Sequence, residues 1–154
     1  MNLNHLYLTP LEQCNLNCKI CYTQKTKAQL TFEELAEFID RYRQFLASSD
    51  LESVLETVTL CGGEIFLLSW ITDFINYLIA QNIIVEIITN GTINRLAELK
   101  QPNLVNLIVS LDGLPQDHDH NQGQGNFQKS FKFLQTAIKL GFHVEIFSVV
   151  TGYN

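Results

Sequence analysis

The sequence predicts an α/β fold in which strands and helices alternate around a parallel sheet. Three observations carry that expectation. Short apolar runs of strand length recur between longer segments whose apolar residues fall at helical spacing. Polar or glycine-bearing stretches follow the strands, as they do where loops gather at the carboxyl ends of a parallel sheet. The 154 residues are 46% hydrophobic and 17% charged, which suits one domain with a real apolar core. Alternation of this kind implies right-handed crossovers.

The first strand covers Leu3–Leu8 and ends before Thr9-Pro10 and a polar, cysteine-bearing loop. Thr31-Phe32-Glu33-Glu34 is a capping box, because the threonine hydroxyl and the glutamate three positions on can each satisfy a free backbone N–H. The helix it opens carries Leu35, Phe38, Ile39, Tyr42, Phe45 and Leu46 on one apolar face. Strand two is Thr57–Cys61, followed by Gly62-Gly63; a helix from about Ser69 to Ala80 turns Ile71, Phe74, Ile75 and Leu78 to one side. Strand three, Ile83–Ile88, is almost continuously apolar, which predicts burial on both faces. It ends at Thr89-Asn90-Gly91. A short helix around Ile93–Leu99 leads to strand four, Leu104–Leu111, and a polar loop from Asp112 to Gly125. The last helix is Phe127–Leu140, with Asn126 as its cap and Gly141 as its stop, and strand five is Phe142–Val150. No linker or low-complexity tract interrupts the chain, so residues 1–154 read as a single domain.

Composition narrows the function. A formal net charge of -6 leaves no basic stripe for a polynucleotide, so nucleic acid is disfavoured as a partner. No run approaches the roughly 18–20 apolar residues of a membrane span. The start, Met1-Asn2-Leu3-Asn4-His5, lacks the basic and apolar regions of a signal peptide, which makes a cytoplasmic location the expectation. Clustered cysteines in a reducing compartment bind metal or do chemistry more often than they pair. Cys61, inside an apolar strand pattern, reads as a small core residue.

Cys14, Cys18 and Cys21 stand in the spacing C-x3-C-x2-C. Thiolates hold iron–sulfur clusters, and a four-iron cubane normally takes four protein ligands. Three thiolates this close can hold three irons and leave the fourth open to another molecule, which points to chemistry more than to scaffolding. Three further segments lie at strand ends: Gly62-Gly63-Glu64, Thr89-Asn90-Gly91 and Ser110-Leu111-Asp112-Gly113. Singly, Gly62-Gly63 is a strand-to-helix turn and Asn90-Gly91 a turn signal. In this order, all four share one rim. A structural zinc site borrowing His5 or another ligand is the alternative.

Together these segments resemble the radical S-adenosylmethionine (radical SAM) superfamily. The cysteine run has an aromatic, Tyr22, directly after its third cysteine, and Gly62-Gly63-Glu64 is similar to the family's Gly-Gly-Glu-Pro segment with Ile65 in the proline position. Ile88-Thr89-Asn90-Gly91 and Ser110-Leu111-Asp112-Gly113 match at the expected strand ends. The resemblance covers essentially the whole chain. It implies a partial (β/α) TIM-like barrel with five of about six strand–helix units present. It also implies a [4Fe–4S] cluster on Cys14, Cys18 and Cys21, with the amino and carboxylate groups of SAM on the open iron. One electron from a flavodoxin- or ferredoxin-type reductant would cleave SAM, and the resulting 5′-deoxyadenosyl radical would take hydrogen from a substrate.

Residue roles follow from the same resemblance. Gly62 and Gly63 would present backbone to the amino end of SAM. Glu64 would anchor that turn or accept a hydrogen bond from the ammonium. Ser110 and Asn90 would bond the carboxylate or ribose, Tyr22 would pack beside the adenine, and Asp112 is counted with these cofactor-binding residues. The stretch Asp117–Phe127 is similar to the His-Asp-x-x-Arg-Gly-x-x-x-Phe pattern of peptide-modifying and sulfatase-maturing members, with Gln122 where arginine is usual. A peptide or protein substrate is thereby implied. Asp119 reads as a brace of its loop, His118 and His120 as solvated loop residues, and Phe32, Phe38, Phe45 and Trp70 as packing residues.

A sixth unit and a cysteine-rich extension have no counterpart in the sequence, which therefore reads as truncated after the fifth strand. An uncovered strand is a pairing liability. A second chain completing the barrel is one expectation that follows. Two others from different classes stand beside the enzyme: a non-catalytic remnant that binds a cluster or a partner, and a zinc-stabilised binding module.

Overall fold

The computed structural model describes residues 3–49 and 53–152; Met1 and Asn2, part of the start discussed above, lie outside that range. Five strands, β1 (His5–Leu11), β2 (Thr57–Gly62), β3 (Ile84–Thr89), β4 (Val105–Ser110) and β5 (His143–Phe147), form one sheet in chain order. Each neighbouring pair is parallel. Helices α1 (Phe32–Ser48), α2 (Ile71–Ile79), α3 (Pro115–Gln122) and α4 (Asn126–Lys139) fill the connections. This is the partial barrel the sequence predicts.

The two faces of the sheet differ because side chains alternate along a strand. Val58, Leu60, Val85, Ile87, Leu107 and Val109 are fully buried on the helix-covered face. On the other, concave face Tyr7, Thr59, Glu86, Asn106 and His143 stand abreast in register. The expectation that β3 is buried on both faces therefore fails: Ile84 is 43% exposed, and Glu86 and Ile88 are only partly covered. The apolar run concealed a strand with one wet side.

Phe74 of α2 centres the aromatic packing. Phe32 and Trp70 meet it edge-on and Tyr77 stacks on it, and none of its own surface is exposed. The α1 capping box forms as expected: Glu34 N donates to Thr31 Oγ1 at 3.2 Å, and Thr31 N donates to Glu34 Oε2 at 2.8 Å. Leu35, Ile39 and Leu46 enter the core, whereas Phe38 and Phe45 stay half exposed and flank Tyr42.

The polar stretch Asp112–Gly125 contains a helix where a loop was expected. Its composition, Pro-Gln-Asp-His-Asp-His-Asn-Gln, has no apolar period, so only Pro115 at the first turn signals it. Conversely, the helix expected at Ile93–Leu99 is a single 3₁₀ turn, Leu96–Glu98, followed by another at Pro102–Leu104. Arg95 fixes that connection, donating to Leu68 O at 2.8 Å and Thr72 Oγ1 at 2.9 Å and pairing with Glu98 at 2.6 Å. Asn126 is the first residue of α4 and not its cap. Asp119 does that work, accepting from Gly125 N and Phe127 N at 2.8 Å each. Gly141, with φ +82°, follows α4 in the left-handed region that favours glycine. Pairing of β1 with β2 slips between Leu8 and Leu11, around Pro10, which has no N–H to give. Among the described residues no helix is long and apolar enough to cross a membrane.

Truncating Phe74 to alanine leaves a cavity at the aromatic centre. We expect Phe74→Ala to cost about 3–5 kcal/mol, read as a fall of roughly 10 °C in thermal midpoint.

Candidate active site at the carboxyl rim of the sheet

The cysteine loop has no helix or strand of its own around its thiols and is held by what surrounds it. Gly63 N donates to Leu11 O at 3.1 Å and Glu64 N to Gln13 O at 3.0 Å, so the exit of β1 crosses directly over the exit of β2. A Cβ on Gly63 would stand 1.9 Å from Gln13 O, and one on Gly62 would stand 2.4 Å from Leu11 O at φ +123°. Glycine is required at both positions for this approach. On the opposite side Lys19 N donates to Asn121 O at 2.9 Å, tying the loop to α3. Lys25 Nζ closes the loop on itself through Leu16 O at 2.9 Å and Asn17 Oδ1 at 2.8 Å.

Cys14, Cys18 and Cys21 line one pocket with Tyr22, Gly62, Gly63, Asn90, Ser110 and Asp112. Every residue expected at the site is there except Glu64, which lies beneath. Burial, then the neighbouring Cys14 and Cys21 thiols, pushes Cys18 up to about 11, and burial likewise raises Cys14. Three bare thiolates would repel one another in this setting; bound cations favour thiolates and displace their protons. Among the described residues no three His, Cys, Asp or Glu side chains converge on a single-ion position.

Glu64 has none of its surface exposed and accepts four contacts: Thr89 Oγ1 on both oxygens at 2.9 Å, Asn90 N at 2.9 Å and Phe66 N at 3.2 Å. It anchors the end of β2 to the end of β3. Burial raises its carboxyl, and the bonds from Asn90 N, Thr89 and Phe66 N oppose that rise.

Asn90 has protein partners on both ends of its amide. Its Nδ2 reaches Asn15 Oδ1 at 3.0 Å and Cys14 Sγ at 3.7 Å, while its Oδ1 accepts from Thr92 N and Thr92 Oγ1 at 2.9 and 2.6 Å. Asp112 is 1% exposed; Val149 N donates to one oxygen at 3.0 Å and Gln122 Nε2 to the other at 2.9 Å. Gln122, where arginine is usual, thus braces the β4 exit without a cation. His118 is fully buried, contrary to the solvated reading, because its segment is helical. Its Nδ1 accepts from Asp112 N at 3.2 Å, its ring meets Phe127 edge to face, and burial lowers its pKa. His120 is exposed beside Lys19 Nζ, at 3.0 Å. Cys61 is half-buried on the concave face, 3.5 Å from Thr9 Oγ1, and not a core residue.

Sequence reasoning missed the polar row below the pocket. Thr59 Oγ1 donates to Glu86 Oε2 at 2.6 Å, so it must accept from His5 Nε2 at 2.7 Å. Asn106 bonds both Glu145 and His143 of β5 at 2.8 Å. Single polar residues at period-2 positions inside apolar strands were the available signal.

Two outcomes test this geometry. Gly63→Ala should undock the cysteine loop, so that iron taken up in anaerobic reconstitution falls at least tenfold while far-UV circular dichroism stays that of the native sheet. Glu64 holds its proton more tightly folded than unfolded, so the stability linked to that proton is present below pH 4.5 and lost as pH rises through the raised value. In urea titrations of the metal-free chain, the stability advantage of wild type over Glu64→Gln should therefore shrink as pH rises from 4.5 towards neutrality.

Comparison with known proteins identifies the family. The family model described as the Radical SAM superfamily matches residues 8–154. A protein named GTP 3′,8-cyclase, from Syntrophomonas wolfei subsp. wolfei, is 28% identical over 160 residues, spanning 99% of this chain and 48% of its own. The chain thus spans about half the length of the curated relative it matches. The crystal structure of Streptococcus suis SuiB bound to precursor peptide SuiA superposes with a TM-score of 0.79 at 15% identity, covering 98% of this chain and 34% of SuiB. Native anSMEcpe with bound AdoMet and Cp18Cys peptide gives 0.76 at 22% identity, over 98% of this chain and 44% of the other. With the family model covering nearly all of it, the chain belongs to the radical SAM superfamily.

Proposed function

We propose that this chain is the radical-generating core of a radical SAM enzyme, with Cys14, Cys18 and Cys21 holding a [4Fe–4S] cluster and SAM in the pocket beside them. The observation that carries this reading is the convergence of three thiols and three strand-end segments on one pocket. When bound, the pair supplies reductive cleavage of SAM to methionine and a 5′-deoxyadenosyl radical that abstracts hydrogen from substrate. A flavodoxin- or ferredoxin-type donor supplies the electron.

The chain's own residues divide the work. The Gly62-Gly63 crossing holds the cysteine loop against the rim, and Glu64 fixes the β2 and β3 exits relative to each other. Ser110, at the end of β4, and Tyr22, 79% exposed at the pocket mouth, are the side chains offered to SAM. Substrate lies against the concave face, where Glu86 and its row sit one side-chain layer below Ile88 of the pocket wall. That is about 7 Å along the strand.

A peptide or protein is the substrate we favour. Concave strand positions carry Glu86, Glu145, His5 and His143 and no lysine or arginine, an arrangement that welcomes N–H donors and repels a polyphosphate. The peptide-bound SuiB and anSMEcpe folds support the same choice. A nucleotide substrate is the second reading, favoured by the relative named GTP 3′,8-cyclase.

The test is anaerobic incubation of the reconstituted chain with SAM and dithionite. We expect release of 5′-deoxyadenosine, a reduced-cluster paramagnetic resonance signal that changes on adding SAM, and neither in Cys18→Ala. A normal cluster spectrum in Cys18→Ala would sink the ligand assignment. A cluster indifferent to SAM would support the non-catalytic remnant, and zinc in place of iron the binding module.

A further inference from the structure

We propose that Asn90 and Thr23 are positioning residues that raise the reduction potential of the cluster by donating hydrogen bonds to two of its thiolates. This rests on the reading of Cys14, Cys18 and Cys21 as cluster ligands. Reduction adds negative charge that is shared by the sulfurs, so N–H or O–H donors aimed at them stabilise the reduced form.

The orientation of the Asn90 amide follows from its partners. Thr92 N can only donate, so the atom facing it at 2.9 Å is the Asn90 oxygen. The NH₂ group must then face Cys14 Sγ at 3.7 Å and Asn15 Oδ1 at 3.0 Å, one hydrogen to each. Asn15 completes the ring by donating Nδ2 to Thr92 Oγ1 at 2.8 Å, whose own hydrogen goes to Asn90 Oδ1 at 2.6 Å. A flipped amide would set donor against donor at Thr92 N. Leu16 N reaches the same sulfur at 3.4 Å. Cys21 Sγ lies 3.1 Å from Thr23 Oγ1. Once Cys21 is a thiolate it has no hydrogen to give, and the hydroxyl is the donor.

This gives Asn90 a task that the rim position alone did not disclose. Both of its donors are spent on the cysteine loop, so its amide acts on the metal ligand before it acts on SAM.

The experiment is a potentiometric titration, followed by paramagnetic resonance, of the full 154-residue chain and two variants after anaerobic reconstitution. Asn90→Asp keeps an oxygen for Thr92 N and removes both N–H donors. Thr23→Val removes the hydroxyl at nearly constant shape and adds no charge, which separates loss of a donor from gain of an anion. At the potential where wild type is half reduced, we expect the reduced-to-oxidised ratio to fall about tenfold in Asn90→Asp, equivalent to about 59 mV for one electron. For Thr23→Val we expect a fall of about threefold, with iron and sulfide per chain unchanged in both. Loaded variants with the wild-type midpoint overturn the proposal; if Asn90→Asp fails to load, Thr23→Val decides it. A wild-type chain that takes up no cluster overturns the thiolate reading itself, and this proposal with it.

Discussion

The buried carboxylate of Glu64 is the contact on which the site depends. It sits at the end of β2 yet spends its oxygens on Thr89 and Asn90 at the end of β3. A carboxylate with no exposed surface is costly unless it is hydrogen-bonded, and here three donors, the Thr89 hydroxyl, Asn90 N and Phe66 N, meet its two oxygens. The preceding peptide N–H, that of Glu64 itself, holds Gln13 O at the start of the cysteine loop. One residue therefore joins three strand exits: β1 through its backbone, β3 through its side chain, and β2 through its place in the chain.

From there the order passes outward. Asn90, fixed by its backbone bond to Glu64, closes a ring with Asn15 and Thr92 and reaches Cys14. Across the pocket the loop meets α3, which Asp112 and Gln122 hold against the β4 exit. The thiols have little regular structure of their own to position them, so their spacing in space is a property of the sheet. A long polar loop can be accurate only when its neighbours over-determine it.

Much of this was legible from residues alone, and the limits have a physical pattern. Thr31 and Glu34 interact within one turn, and Gly141 acts through its own φ, so those signals survive without tertiary knowledge. The rim was legible because parallel strands bring their following loops together wherever the helices go. Helix α3 was not, since it has no apolar face and is held by contacts such as Gln122 to Asp112 and Asp119 to Phe127 N. The partners of Asn90 were not either: Asn15 is 75 residues away, and nothing local distinguishes an asparagine that bonds a cofactor from one that bonds a loop. The wet face of β3 was hidden for a different reason. A single glutamate in Ile-Ile-Val-Glu-Ile-Ile is weak evidence against a doubly buried strand until its neighbours Thr59 and Asn106 fall beside it.

That wet face also constrains what the pocket can serve. A sheet with both faces apolar would need a second layer of cover and leave no room for a substrate above it. Here helices cover one side, and on the other Thr59, fully buried, bonds His5 and Glu86, whose side chains stay partly exposed. Polar groups paired in this way are rigid, so the row presents fixed polar groups, Glu86 among them, one side-chain layer below Ile88 of the pocket wall. A reactive species formed at the rim would meet whatever lies on that row first. The same strands that place the cysteine loop thus set the distance and the polarity of the surface facing it.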